Sequence, residues 1–500
     1  MSVPPGSAAR DVIDLFLNCA ARSPAHPAIV SGANVMDYAG LERRARQFAG
    51  IFAKRPGARI VIALPQVADA YAAILGAGLA GGYYVPLNLA APSAKLKRIV
   101  QLAEPDFIVA NGEMVALLHQ SHQNAELVGA TSASDTLPLR GPGTRHHLAY
   151  IIFTSGSTGD PKGVMVPRTG LNHYTQWMGR AFGVTPLDRW SQHPNLAFDL
   201  SVADVYGALC HGATLFPLVS ESDRLMPARM IARHKLTIWN SVPSVLNLMM
   251  RAGQLTAVNL ASLRLMTFCG EPLLPEHVGA MFAARPDMLV QNTYGPTEAS
   301  VSMTELRLRH GEYEAAMAET VAIGAAIAGM GLHLTGGPDA DEGEIVITGP
   351  QLADGYWRDP AKTAAAFRDI TVDGKVQRGY YTGDWAVRRN GHVFFRERID
   401  FQTKVMGFRV ELDEVAAAIR GCGWPVARVF KRGDGLAAVV EACAGRAFDE
   451  QALRAQLSEK IERHAVPQMI KLVDRMPGND NDKLDRKAAA AWFETQEGSP

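Results

Sequence analysis

Hydrophobic and polar residues alternate along the chain in two patterns, one typical of buried strands and one typical of amphipathic helices. Short apolar runs at residues 59–64 and 106–110 predict buried strands. Leu41, Ala45 and Phe48 recur at helical spacing and predict a helix with one buried face. Because such strands and helices follow one another in turn, we predict an α/β fold with largely parallel sheets.

The pattern changes after a strand predicted at residues 391–397. A short charged stretch at residues 398–400 follows, and a helix begins within residues 411–419. Residues 448–464 predict an amphipathic helix, with Leu453 and later apolar residues at four-residue spacing. This last part of the chain therefore resembles a small α+β domain that follows a much larger one.

Composition narrows the possible partners. A chain of 500 residues exceeds what one hydrophobic core usually supports, so at least two domains are expected. Lysine plus arginine and aspartate plus glutamate both number 50, which argues against nucleic acid or an anionic membrane as the partner. No apolar run reaches the roughly 20 residues that span a bilayer, and the start lacks a secretory pattern. We expect a cytoplasmic protein that acts on a small molecule.

The cysteines also favour the cytoplasm. The chain contains five cysteines, scattered and without the paired spacing that zinc or redox sites use. They are interpreted as reduced, mostly buried thiols.

A loop with the composition of a phosphate site follows the strand predicted at residues 148–153. Its glycines let the backbone approach phosphates closely, its hydroxyls and amides can donate hydrogen bonds, and its lysine adds positive charge. Because glycine rather than serine or threonine follows Lys162, this is not the loop of P-loop nucleotidases. Taken alone, a Ser/Gly-rich loop is more often a linker. Its candidate phosphate ligands are Thr154, Ser155, Gly156, Ser157, Thr158, Gly159 and Lys162.

Four further blocks follow this loop in order. They are Asn-Thr-Tyr-Gly-Pro-Thr-Glu at residues 292–298, Tyr-Thr-Gly-Asp at 381–384, Arg-Ile-Asp at 398–400 and Asn-Asp-Lys-Leu-Asp-Arg at 481–486. Together the five blocks resemble the adenylate-forming superfamily of acyl-CoA synthetases, luciferase-like enzymes and adenylation domains of nonribosomal peptide synthetases. The blocks at residues 267–272 and 292–299 look especially like free-standing amino-acid adenylation enzymes such as D-alanine–carrier protein ligases.

The resemblance implies a particular organisation of the fold. A large N-terminal adenylation domain, residues 1–397, would contain doubly wound α/β sheets and a small β-barrel-like part. Residues 398–400 would form a hinge at Asp400, and residues 401–500 a small, mobile α+β lid domain. The lid would swivel after adenylation, so that two half-reactions share one pocket.

The resemblance also implies the cofactors ATP and Mg²⁺ and a catalytic set. A carboxylate that attacks the α-phosphate of ATP brings two anions together, so catalysis requires charge neutralisation and positioning. Lys483 matches the lysine that bridges the carboxylate and the α-phosphate. Glu298 matches the magnesium ligand, and Thr297 would lie near the α-phosphate. The loop that begins at Thr154 would hold the pyrophosphate.

Other positions match residues that bind the nucleoside. Asp384 would accept both ribose hydroxyls, and Arg398 would contact the ribose. Tyr294 would lie against the adenine ring, and Asn292 would bond its exocyclic amine. The remaining residues assigned to the ATP or AMP site are Gly270, Glu271, Thr293 and Gly295.

Two residues depart from the family pattern. Glu397 stands where glycine often precedes the matching arginine, and Asp482 places a negative charge directly before Lys483, where the family usually has Asn-Gly-Lys.

Residues 198–206 resemble a block of the amino-acid-activating members, and this block indicates the class of substrate. In those members an aspartate matching Asp199 binds the α-ammonium group of the substrate, and a buried carboxylate does require a cation. Fatty and aryl acid ligases generally lack this aspartate. D-alanine is the leading candidate, because a cysteine matching Cys269 keeps the pocket of D-alanine ligases small. Alanine, serine and β-alanine are alternatives. The predicted lining is Asp199, Leu200, Ala203, Asn240, Thr267, Cys269, Thr293, Val301 and Ser302.

No block resembling a phosphopantetheine attachment site follows Lys483. The predicted acceptor is therefore the phosphopantetheine thiol of a separate carrier protein, with coenzyme A as the second choice. Three other functions compete with this one. They are an acyl- or aryl-CoA ligase, an amide-bond synthetase of the same fold, and a weakly active nucleotide-binding protein, the last suggested by Asp482.

Overall fold

The computed structural model describes residues 11–129, 132, 145–156, 160–337, 340–399, 402–443, 446–474 and 476. Ser157, Thr158, Gly159, Asp400 and Lys483, which were given roles above, lie outside these ranges. The helices are α1 Val12–Arg22, α2 Tyr38–Phe52, α3 Ala68–Leu79, α4 Ser93–Ala103, α5 Glu113–His119, α6 Arg168–Ala181, α7 Asp199–Leu209, α8 Glu221–Leu225, α9 Pro227–His234, α10 Pro243–Arg251, α11 Pro275–Ala284, α12 Pro360–Ala366, α13 Leu412–Arg420 and α14 Glu450–Ser458.

The strands alternate with these helices through most of the chain, and after residue 300 several strands follow one another between helices. They are β1 Pro27–Ser31, β2 Asn34–Asp37, β3 Arg59–Ala63, β4 Tyr83–Pro86, β5 Phe107–Ala110, β6 Glu126–Val128, β7 Leu148–Thr154, β8 Lys162–Pro167, β9 Arg189–Gln192, β10 Thr214–Pro217, β11 Ile238–Ser241, β12 Leu265–Phe268, β13 Leu289–Asn292, β14 Thr304–Leu308, β15 Ala325–Ala326, β16 Gly331–Leu334, β17 Glu342–Thr348, β18 Gly355–Tyr356, β19 Phe367–Val372, β20 Lys375–Arg389, β21 His392–Arg398, β22 Gln402–Val405, β23 Phe408–Glu411, β24 Ala427–Arg432, β25 Gly435–Glu441 and β26 Met469–Val473.

The chain divides into two units. The first comprises residues 1–88, 100–153 and 163–399, and the second comprises residues 89–99, 154–162 and 400–500.

The first unit contains two large sheets built around parallel strands. One has the order β15-β14-β13-β12-β11-β9-β10-β1-β2, in which β13 to β1 run parallel. The other has the order β18-β8-β7-β4-β3-β5-β6. One core serves both sheets, because Ile60 of β3, Tyr150 of β7 and Trp190 of β9 belong to the same buried cluster. The predicted α/β fold with largely parallel sheets is confirmed.

A third sheet in this unit is antiparallel. It joins β16, β17, β20 and β19, with β21 paired to β20. This sheet stands where the small β-barrel-like part was expected.

The second unit has its own core. The hairpin β22-β23 and the sheet β24-β25-β26 pack with α13 and α14 around buried residues that include Val415, Ile419 and Leu453. The helix predicted at residues 448–464 is shorter than expected. It ends at Ser458, although Ile461 is still buried at the predicted spacing.

None of the helices in the described ranges combines the length and apolar character of a bilayer-spanning segment.

Candidate active site

Asp199 is the first residue of α7, the helix that begins the candidate pocket. Thr297 Oγ1 donates a hydrogen bond to Asp199 Oδ2 at 2.7 Å, although 98 residues separate the two in the sequence. The N-terminus of a helix carries partial positive charge, which favours an ionised carboxylate at this position. The predicted catalytic Thr297 and the predicted ammonium ligand are thus in direct contact.

Three residues of the predicted pocket lining lie at or just after the carboxyl ends of three parallel strands. Asn240 at the end of β11 is the register partner of Thr267 in β12, and Thr293 follows directly after β13. Register partners on adjacent parallel strands project from the same face of a sheet. Asn240 Nδ2 donates to Asp204 Oδ1 of α7 at 2.8 Å, so this is the face that α7 covers.

The segment that follows β13 carries two further residues of the predicted lining, Val301 and Ser302. Cys269 Sγ donates to the backbone oxygen of Val301 at 3.7 Å, and Ser302 Oγ donates to the hydroxyl of Tyr174 at 3.2 Å. Val301 has a φ of 80°, an unusual conformation for a β-branched residue. A side chain on Gly295 would lie 2.4 Å from Ser302 Cα, so only glycine permits this close approach.

Tyr174 lies among the pocket residues. Burial raises the pKa of its phenol well above the usual value, and negative charge on Cys269, Asp199 and Asp204 raises it further. Tyr174 therefore lies near Ser302, Cys269 and Asp199 of the predicted lining. Leu200 and Ala203, which belong to the same prediction, are both buried on α7.

Three residues of this region, Asp204, Tyr174 and Trp190, were not predicted as site residues from the sequence. Asp204 is fully buried, and its Oδ1 accepts hydrogen bonds from Trp190 Nε1 at 3.0 Å and from Asn240 Nδ2. Its presence five residues after Asp199 in the same block was the available signal. The periodicity of a fully buried helix does not show which of two carboxylates meets a strand end.

Three residues assigned to the nucleoside lie together. Tyr294 donates from its hydroxyl to Asp384 Oδ2 at 2.6 Å, and Arg398 Nη1 donates to Asp384 Oδ1 at 2.6 Å. The pairing of β20 with β21 fixes this contact, because Asp384 and Arg398 are register partners. A carboxylate offers about four acceptor sites, so two remain for a diol.

Asn292 is oriented in a way that suits adenine. Its Nδ2 donates to the backbone oxygen of Ala322 at 2.9 Å, which directs its carbonyl oxygen elsewhere. Glu271, by contrast, accepts the backbone N–H of Ser244 at 2.8 Å, near the start of α10. Thr293 Oγ1 donates to the backbone oxygen of Phe268, and Gly270 follows Cys269 with a φ of 98°.

Glu298 is the predicted metal ligand. It is fully buried in a short 3₁₀ turn, and its Oε1 accepts a hydrogen bond from the Tyr356 hydroxyl at 2.8 Å. Among the described residues no group of three or more histidine, cysteine or acidic side chains could enclose a metal. Since Mg²⁺ is often held by one or two carboxylates together with substrate phosphates, a single glutamate fits the ion.

The described part of the phosphate loop belongs to the second unit. The Thr154 hydroxyl is buried and has no hydrogen-bond partner in the described part of the chain, which suits a phosphate oxygen. A side chain on Gly156 would lie 2.2 Å from the backbone oxygen of Asp160, so this tight loop requires glycine. Ser155 Oγ donates to the backbone oxygen of Arg409, and Lys162 Nζ lies 3.9 Å from Glu411 Oε1. A phosphate would therefore share Lys162 with that carboxylate.

The chain matches the model of one known family. The AMP-binding enzyme family matches residues 16–357, which is more than half of the chain. The protein is therefore a member of the AMP-binding enzyme family and an AMP-forming ligase.

Curated relatives and solved structures refine this placement. D-alanine–D-alanyl carrier protein ligases of Bacillus anthracis and of Listeria monocytogenes are 30% and 29% identical to this chain, each over 83% of it and 85% of the relative. The Vibrio cholerae adenylation domain AlmE, solved with glycyl-adenosine-5'-phosphate, is similar with a TM-score of 0.83 and 26% identity. That similarity covers 99% of this chain and all of the other.

A carrier-linked protein has the same fold. Holo-PA1221, a nonribosomal peptide synthetase protein with adenylation and PCP domains, has a TM-score of 0.81 and 25% identity, over 97% of this chain and 84% of the other. These similarities confirm the predicted superfamily and the α/β fold class.

Proposed function

We propose that this protein activates a small amino acid as its aminoacyl-adenylate, releases pyrophosphate, and transfers the acyl group to the phosphopantetheine thiol of a separate carrier protein. D-alanine is the first candidate substrate, because the curated relatives are named for it. The observation that carries the proposal is the hydrogen bond from Thr297 to the half-buried Asp199 carboxylate, which buried residues of α7 follow directly.

The charge of Asp199 is the reason for preferring an amino acid. Asp199 is half-buried, and a bound substrate would cover its carboxylate further. Covering a carboxylate is costly unless a cation pairs with it, and the α-ammonium group of an amino acid supplies one. Thr297 Oγ1 donates a hydrogen bond to this carboxylate, and the α-ammonium group would be a donor that also carries the opposite charge.

The nucleotide would be held by residues on several strands and turns. Asp384 would accept the ribose hydroxyls, Asn292 would accept the adenine amine, and the Thr154 hydroxyl would donate to phosphate. Glu298 would hold Mg²⁺, which neutralises phosphate charge when bound. Lys483 would bring its ammonium group between the substrate carboxylate and the α-phosphate, which lowers the repulsion between these two anions.

Substitution of Asp384 tests the nucleoside assignment. Asp384→Asn should raise the KM for ATP about 10- to 100-fold, because hydrogen bonds to a charged acceptor contribute about 1.5–3 kcal/mol. The KM for the amino acid should stay nearly constant. Asp369→Asn, a change on an exposed position of β19 in the same sheet, is the matched control. An unchanged KM for ATP would remove Asp384 from the nucleotide site.

The acceptor and the hinge form the second part of the proposal. Carrier-protein ligases among the relatives, and the PCP-linked structural neighbour, support a carrier protein over coenzyme A. Asp400→Pro should slow thioester formation at least tenfold and leave pyrophosphate exchange intact, because proline restricts backbone rotation at a hinge. Asp400→Ala keeps that rotation and should spare both steps. Equal loss of both activities in the proline variant would contradict the hinge.

The substrate class is tested by ATP–pyrophosphate exchange with D- and L-amino acids, fatty acids and aryl acids. We expect exchange only with small amino acids. Exchange only with acids that lack an amino group would favour the acyl- or aryl-CoA ligase. Adenylate formation followed by transfer to an amine would favour the amide-bond synthetase, and ATP binding without exchange would favour the weakly active nucleotide-binding protein.

A further inference from the structure

Trp190, Asp204 and Asn240 form a buried hydrogen-bonded group that the proposed catalytic roles do not use. Trp190 Nε1 and Asn240 Nδ2 both donate to the same oxygen, Asp204 Oδ1, at 3.0 and 2.8 Å. The exposed fractions of the three residues are 0%, 0% and 3%. The group connects strand β9, helix α7 and the end of strand β11.

This arrangement fixes the orientation of the Asn240 carboxamide. An indole N–H can only donate, so Asp204 Oδ1 is an acceptor whether or not the carboxyl group carries a proton. Burial raises the pKa of Asp204 well above its usual value, and any proton would then reside on Oδ2. Asn240 therefore turns its NH₂ group toward Asp204, and its carbonyl oxygen must point away.

Two polar side-chain atoms on neighbouring strands are left for a ligand. Asn240 Oδ1 and Thr267 Oγ1 have no hydrogen-bond partner among the described residues. The two residues are register partners, and adjacent strands lie about 4.8 Å apart. One atom can only accept, and the other can donate. A ligand hydroxyl between them would donate to Asn240 and accept from Thr267.

We propose that Asn240 and Thr267, with Asp204 as a positioning residue, select an amino acid whose side chain ends in a hydroxyl group of serine size. The inference rests on the proposed function of this site as an amino-acid pocket. It places serine ahead of D-alanine among the candidates. Glycine and alanine would leave both polar atoms to water, and a methyl group in place of the hydroxyl would leave them unpaired.

Serine and 2-aminobutyrate, compared in both enantiomers, provide the direct test because they differ by a hydroxyl in place of a methyl group. In pyrophosphate exchange, we expect kcat/KM for one serine enantiomer to exceed the value for the matching 2-aminobutyrate enantiomer roughly 100-fold. It should exceed the value for the matching alanine enantiomer about tenfold. If the protein exchanges amino acids, but kcat/KM for alanine or 2-aminobutyrate equals or exceeds that for serine, this inference is overturned and the proposed function stands. Exchange only with acids that lack an amino group, or with no acid, would overturn the proposed function as well.

Two variants test the positioning role. Asp204→Leu should lower the serine to 2-aminobutyrate ratio at least tenfold, because the carboxamide of Asn240 is then free to turn, while the KM for ATP stays within about twofold. Asp223→Leu replaces another buried aspartate, one that lies in the first turn of α8 and pairs with Arg233, and should leave the ratio unchanged. If Asp204→Leu does not fold, Asn240→Leu should lower the same ratio. An unchanged ratio in the folded variants would contradict the proposal.

Discussion

Asp199→Asn is expected to lower kcat/KM for the cognate amino acid roughly 10²- to 10³-fold in pyrophosphate exchange. Breaking one partner of a buried charge pair costs about 2–5 kcal/mol, and here the substrate ammonium would lose its counter-ion. The shape of the side chain is retained, and asparagine can still accept the hydrogen bond from Thr297. The loss would therefore report charge rather than packing.

Two measurements separate this effect from damage to the fold. Asp223→Asn changes a buried aspartate of the same unit that pairs with Arg233, and it should retain nearly full exchange. ATP binding should be similar in the two variants. Normal turnover of the cognate amino acid by Asp199→Asn would rule out the ammonium role.

Lys483→Ala is expected to reduce adenylate formation at least about 100-fold, a loss typical of removing one group that stabilises charge in the transition state. ATP affinity should change little, because the loop at Thr154 and the ribose ligand Asp384 are retained. The effect should therefore appear in kcat rather than in the dissociation constant for ATP.

A nearby lysine provides the matched control for this variant. Lys487→Ala removes the same charge four residues later in the sequence and should leave exchange nearly unchanged. Exchange at the normal rate in Lys483→Ala would remove this lysine from the reaction. Asp482→Gly tests the unusual neighbouring charge, and a faster reaction in that variant would show that Asp482 restrains the lysine.

Much of the fold could be predicted from the hydrophobic pattern. The strand expected at residues 148–153 is β7, and the helical spacing around Leu41 and Ala45 belongs to α2. The helix expected through His464 ends at Ser458, although Ile461 is buried. Periodicity reports which side chains face the core, and the core continues past the last turn of the helix.

The candidate site was harder to predict, because its contacts depend on strand register. Tyr294 and Asp384 are 90 residues apart, yet their side chains share a hydrogen bond. Their assignments, Tyr294 to the adenine ring and Asp384 to the ribose, stay predictions, and the contact brings the two side chains together as one nucleoside site requires. The bond from Asn240 to Asp204 was not predicted, since nothing in one sequence indicates which helix side chain meets which strand end.

A competition experiment shows directly which class of acid the protein activates. The protein is incubated with ATP and an equimolar mixture of small amino acids, fatty acids and aryl acids, and the adenylate retained on the protein is identified by mass spectrometry. We expect an aminoacyl-AMP of a small amino acid, which should be absent in Asp199→Asn. An adenylate of an acid without an amino group, or the same aminoacyl-AMP at the same yield in that variant, would contradict the proposed function.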